Sequence, residues 1–533
     1  MRESPARREN TSEDVPLLAQ PEDDAYSRPQ SPLQPKAWQN TQTITHIFML
    51  VILLNSLGDS LLQSPQTRIL ESVECYLYYE QSDPSKLLLD RSHVGPGAIG
   101  GVDEMFCKVG EVQSRLVTLR GWQIFLDCIP SLLFAIPLGW AADRYGRKPF
   151  VLAGLGALML KSAWIQLVTW FWQVFDIRMT WVSALFGSLG GGGAVTLALA
   201  FVMFSDITPE AKRSAVFLRA GAFGIVAGLV MPPLAAWLMR YNPWIPAIAG
   251  TCLQGLAVTL FSLTPETLNF GARASSIDAA RSSTFESFPP PEPDAPLSFQ
   301  SQSATTTADR CLKQFRTSTA FLLEDWRVPV LIAPFLGHDF LGVCASLVIQ
   351  YLSARYDITF SDATLVAMIY SATVAVLLFF IIPFVSNTLV NRLHLSVMKK
   401  DLYLLRASQI LLGAGWCMFS FAPNLASVAL SLVLASLGQG APLLLRSFIT
   451  SLLPKDQIAT AYSFISIVDT LGTMVGAPLL AGLLKRGFSL GGGLVGLPFL
   501  ATGLVIGGFA VVLFAVRIKK GEDRKDTAAE DER

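Results

Sequence analysis

The chain has 533 residues, 51% of them hydrophobic and only 15% charged, where an ordinary soluble domain carries about a quarter charged residues. Its 41 basic and 41 acidic residues cancel, which excludes the basic face that nucleic acid demands. Seven cysteines without CxxC or Cys/His spacing exclude a patterned zinc site.

Residues 1–42 are polar, charged and proline-containing, and read as a disordered cytoplasmic tail. Within them Glu13-Asp14-Val15-Pro16-Leu17-Leu18 fits the acidic dileucine pattern ExxxLL, a sorting signal for an internal membrane. No secretory signal precedes the first apolar run at 43–63, so that run is expected to act as the insertion signal. An outer loop follows at 64–118, carrying Cys75 and Cys107. A disulfide between them is expected in an oxidising compartment, with two unpaired thiols as the alternative.

Apolar runs of about 20 residues, enough to cross a bilayer core, then recur at 119–142, 149–172, 179–204, 214–238 and 243–264. Residues 266–327, rich in Ser, Thr and Pro, read as a flexible cytoplasmic linker. Six further runs occupy 328–354, 362–386, 402–422, 425–452, 459–484 and 490–516, before a charged tail at 517–533. The expected fold is an all-α membrane protein with twelve transmembrane helices in two six-helix bundles, 43–265 and 328–516. A weak repeat agrees with this. Gly193-Ala194 precedes Pro209 by about the interval that separates Gly440-Ala441 from Pro454. Basic residues near the helix ends put both termini in the cytoplasm.

The hinge between the second and third runs is Gly139-Trp140-Ala141-Ala142-Asp143-Arg144-Tyr145-Gly146-Arg147-Lys148, or GxxxDRxGRK. Its charges cannot lie in hydrocarbon, Gly146 permits a sharp turn, and Arg144, Arg147 and Lys148 mark a cytoplasmic side. This decamer resembles the signature loop between helices 2 and 3 of the major facilitator superfamily. The cysteine-bearing outer loop is similar to that of fungal members of unassigned substrate. The resemblance implies that Asp143 faces the positive end of helix 11, near Ala459, as part of a conformational switch. Helix 5, with Gly221, Gly224, Gly228 and Pro232-Pro233, departs from the family's antiporter pattern.

Ionisable residues inside spans mark function or its structural support. His338 and Asp339 in helix 7, near mid-bilayer, are the leading candidates for substrate or proton coupling, since both side chains can exchange protons. The resemblance places helices 1, 4, 7 and 10 around a central cavity. Asp59 in helix 1 and Asp469 in helix 11 belong to the same set, with Asp469 either facing the pore or pairing with Arg446. Arg446 would attract an anion if it faced the cavity, or would snorkel to the interface. Lys161 needs a carboxylate partner, Asp127 or Asp59, and is read as half of a structural charge pair.

No GxxxxGK[ST] or HExxH pattern occurs, so neither ATP hydrolysis nor metalloenzyme chemistry is expected, and no cofactor or metal. The expected function is secondary active transport of a small organic solute by alternating access, driven by protons. The monomer is expected to reside among the lipids of the plasma or vacuolar membrane. A receptor or nutrient sensor built on the same fold is the alternative.

Overall fold

In lipid an apolar run can satisfy its backbone only as a helix or a closed barrel, and among the described residues every apolar run is helical. The computed structural model describes residues 41–208, 210–266, 326–391, 397–453 and 458–516. Among these are twelve helical stretches long and apolar enough to span a membrane. The expected tails, the Glu13–Leu18 signal and nearly all of the linker lie outside the described residues.

The first half comprises α1 (Thr41–Ser82), α2 (Gly110–Tyr145), α3 (Lys148–Trp170), α4 (Ser183–Gly190), α5 (Gly192–Ile207), α6 (Glu210–Met239) and α7 (Trp244–Ser262). The second comprises α8 (Arg327–Tyr356), α9 (Phe360–Val376), α10 (Ile382–Asn391), α11 (Val397–Ser420), α12 (Leu425–Leu437), α13 (Ala441–Leu452), α14 (Ile458–Leu490) and α15 (Leu497–Ala515). A π-helical turn over Leu377–Ile381 joins α9 to α10 in one crossing. The fourth crossing breaks between α4 and α5, where Gly191 and Gly192 take φ of 73° and 76°. The tenth breaks between α12 and α13 at Gly438–Gly440. The two halves therefore interrupt the same crossing, and α5 and α13 begin beside the glycines of the weak sequence repeat.

The structure corrects the expected outer loop at 64–118. The first helix continues to Ser82 and the second starts at Gly110, which leaves only 83–109 outside them. A 42-residue helix is about 63 Å long, twice the hydrocarbon thickness. Hydropathy marks where α1 leaves lipid, not where it stops being a helix. Beyond Gln63 its polar residues need water or partners, and a folded cap supplies both.

That cap lies at the distal face, opposite the terminal face where α1 begins and α15 ends. Its core includes Leu70, Tyr76, Tyr79, Val94, Ala98, Leu116 and Trp172, and Phe360 of α9 is packed into it. Cys75 and Cys107 form a disulfide across it, with Cα atoms 5.3 Å apart. A buried charge cluster lies alongside. Glu71 receives Lys108 at 3.0 Å and Arg68 at 3.2 Å, while Glu104 meets Arg68 at 3.1 Å. Gln113 donates a further hydrogen bond to Glu71. Such buried charges persist only when paired this fully.

The halves meet at the distal face. Apolar packing there includes Val117 of α2 together with Phe340, Leu347 and Ala481 of the second half. Polar contacts join the same ends: Phe360 N–H to Glu104 at 2.8 Å, Gln350 to the Gln113 carbonyl at 2.8 Å and Ser361 to the Ala236 carbonyl at 2.6 Å. Arg240 and Asp362 add an exposed pair at 3.1 Å. Toward the terminal face each half instead has its own core, around Phe48 and Phe204 in the first and Phe335 and Phe448 in the second. The arrangement is closed distally.

Candidate solute pathway and switch loop

Between the halves lies a cavity of about 110 Å³. Ser60, Gln63 and Ser64 of α1 face it from one side, and Ile349, Met368, Tyr370 and Trp416 from the other. Tyr370 donates a hydrogen bond to Gln439 at 2.8 Å. The buried Trp416 indole nitrogen has no hydrogen-bond partner. Gln63 also borders a second cavity, of about 150 Å³, inside the first half.

This second cavity collects charged groups from three helices. Asp59 of α1, Arg120 of α2 and Lys161 of α3 line it, together with Gln254 of α7. The Lys161 ammonium lies 2.6 Å from Asp127, so the partner is Asp127 and not Asp59, although the Lys161 charge still acts on Asp59. Arg120 was missed in the sequence. The crossing seemed to start at 119, which made Arg120 a terminal residue, but α2 begins nine residues earlier. A guanidinium at the edge of an apolar run was the available signal.

In the second half, Arg446 of α13 donates to Asp469 of α14 at 3.0 Å and its guanidinium lies 5.4 Å from the Phe335 ring. Asp339 of α8 packs against Gly472, one turn from Asp469; a Cβ on that glycine would lie 3.1 Å from the Asp339 Cβ. Its buried Oδ2 has no hydrogen-bond partner. His338 is buried beside Phe335, ring centroids 6.3 Å apart, and neither ring nitrogen is bonded. Three of the four candidates in this half thus lie together, Arg446 bonded to Asp469 and Asp339 against the next turn of α14. The pairing of Asp469 with Arg446 is one of the two readings the sequence leaves open, whereas the approach of Asp339 to that next turn of α14 could not be read from its position.

The hinge decamer closes the end of α2. Gly146 takes φ of 103°, a conformation that favours glycine. Glu266, just beyond α7, accepts the backbone N–H groups of Arg147 at 3.0 Å and Lys148 at 3.1 Å. A carboxylate at a helix N-terminus satisfies its unpaired amides and its dipole. Arg147 also reaches the Val202 carbonyl, and Lys148 the Ser262 carbonyl at 2.9 Å. The loop thereby ties α2 and α3 to α5 and α7. Gly139 has open space beside it, and the Arg144 guanidinium lies 5.9 Å from the Tyr145 ring. The side chains of Asp143 and of the start of α14 near Ala459 lie outside those the structure describes.

The sequence matches the family described as the Major Facilitator Superfamily over residues 117–477. The chain belongs to that superfamily. Among similar curated proteins, an MFS-type transporter, aprT, of Aspergillus flavus is 29% identical over 95% of this chain and 94% of its own length. The MFS efflux pump atnC of Emericella nidulans is also 29% identical, over 97% of this chain and 95% of its own. Among solved structures, the inward-open xylose transporter XylE of E. coli superposes with a TM-score of 0.54 at 13% identity, covering 92% of this chain and 99% of that one. This facilitator is a multi-pass membrane protein that moves small solutes by secondary transport, and not an enzyme.

Proposed function

We propose that this facilitator expels a small, lipophilic or weakly ionic organic solute in exchange for protons, with both termini in the cytoplasm of a plasma or vacuolar membrane. Export follows from the likeness to fungal relatives named as efflux pumps. The observation that carries proton coupling is the group formed by Asp339, Asp469 and Arg446. The one guanidinium is hydrogen-bonded to Asp469, while Asp339, packed against the next turn of α14, has an unbonded Oδ2. Asp339 is then the carboxyl that loads and releases the proton, and His338, one residue away, is the companion that senses its state. The solute binds between the halves, and rocking of the bundles exposes it to either side in turn. The hinge decamer acts as the switch on the cytoplasmic side, with Asp143 engaging the start of α14.

Proteoliposomes with an imposed pH gradient and a panel of lipophilic dyes and drugs test this directly. Wild type is expected to accumulate at least one compound against its gradient. Asp339→Asn is expected to keep solute exchange while losing the pH-driven accumulation. Undiminished accumulation by that variant would remove Asp339 from the coupling. Asp143→Asn is expected to insert normally and transport more slowly, and full speed at normal expression would deny it the switch role.

A further inference from the structure

The cavity inside the first half holds an arrangement that transport by rocking bundles does not itself require. Lys161 is neutralised by Asp127 at 2.6 Å. The two remaining charges that line the cavity, Asp59 and Arg120, make no hydrogen bond and no ion pair with each other or with any described residue. Arg120 feels Asp127 only through space. A guanidinium stays charged under all conditions a protein meets, and the half-buried Arg120 and the exposed Asp59 both present their charges to this cavity without a protein partner. Gln254 supplies a second, independent sign. It is 2% exposed, it lines the same cavity, and its Oε1 has no donor.

We propose that this cavity binds the zwitterionic end of a solute, its carboxylate on Arg120 and its ammonium on Asp59 and the Gln254 amide oxygen. The unused groups decide the class. Arg120 offers donors only, while Asp59 and Gln254 Oε1 are acceptors. A plain carboxylate would fill one side and leave the acceptors empty, and a plain amine the reverse. A ligand with both charges keeps the site neutral and satisfies each group. The volume of about 150 Å³ suits such a head group but little more. Gln63 is a wall shared with the cavity between the halves, where Ile349, Met368 and Trp416 offer an apolar seat for the rest. The solute is therefore an amphipathic amino acid, zwitterionic at one end and apolar at the other. This deepens the transport reading above and rests on it for the path by which the solute enters and leaves.

The test uses the purified full-length chain in nanodiscs, with tryptophan fluorescence and thermal shift as readouts. The probes are the amino acid leucine, N-acetyl-leucine, leucinamide and octanoate. Free leucine is expected to bind and to raise the melting temperature, and each capped form to bind about tenfold more weakly, as loss of one charge-assisted contact implies. Arg120→Gln should lose only the preference over the amide, and Asp59→Asn only the preference over the acetyl form. Should Arg120→Gln fail to fold, Gln254→Leu must still reduce the preference over the acetyl form. Equal binding of all four probes, or octanoate displacing leucine as well as leucine itself does, would overturn the site. If pH-driven dye efflux is intact while no leucine binds, the site falls and the transport reading stands. If leucine binds selectively but no gradient drives any solute, the site stands and proton coupling falls.

Discussion

At Gly146 a single missing side chain decides the geometry of the hinge between α2 and α3. A Cβ there would lie 2.7 Å from Glu266 Oε2, and the residue already sits at φ 103°. Gly146→Ala is therefore expected to lower stability by about 1–3 kcal/mol, read as an earlier melting transition in detergent. It should also displace Glu266 from the start of α3 and slow transport. The decamer was legible because its residues are contiguous and each has a local reason. Glu266 was not, because it stands 119 positions from Arg147 and nothing local marks it as a cap. Lys161 shows the same boundary of legibility. The need for a carboxylate followed from its depth, whereas the choice of Asp127 over Asp59 depended on how α2 and α3 pack. A double-mutant cycle of Lys161→Met with Asp127→Asn is expected to give a coupling energy of about 1–3 kcal/mol in melting experiments. Additivity of the two single effects would deny the pair a structural role.

At the scale of elements, hydropathy found every crossing but misjudged helices that outrun the membrane. In α1 the apolar run ends near Gln63 while the helix runs to Ser82, held by cap residues that fold back from 83–109. The disulfide Cys75–Cys107 staples that cap. Replacing both cysteines by serine is expected to lower stability by about 2–4 kcal/mol, and reductant should do so in wild type alone. The cap also gives the distal contact a dependence on pH. Burial pushes the Glu104 carboxyl up, but Arg68, Lys108 and the Phe360 N–H more than offset it, so its pKa lies below the ordinary 4.5. A carboxyl depressed in the folded state adds stability that is complete above its ordinary value and disappears as pH falls through the lower one. Melting temperatures followed from roughly pH 6 to 3 should drop at the acid end, and Glu104→Gln should blunt the drop. An unchanged acid profile in that variant would assign the effect to other carboxylates.

For the whole molecule, twelve crossings in two halves were readable because each crossing must be apolar and about 20 residues long. The repeat was readable too, through the glycines that break the fourth and tenth crossings. Which faces of the bundles touch was not readable, since it depends on distant pairs such as Gln350 with Gln113. Those pairs lie at the distal end, and there the polar contacts are buried and directional.

This one-sidedness has a consequence for how an idle carrier spends its time. Opening the distal face must part Phe360 from Glu104, Gln350 from Gln113 and Ser361 from Ala236. At about 1 kcal/mol each, together with the apolar packing around them, their loss disfavours the open form by a ratio on the order of a hundred to one. Without cargo nearly every copy rests shut toward the far compartment, and only a ligand that prefers the other form can redistribute them. Under the proton coupling proposed above, a membrane crowded with such resting carriers is expected to keep its proton gradient, leak being suppressed by population alone.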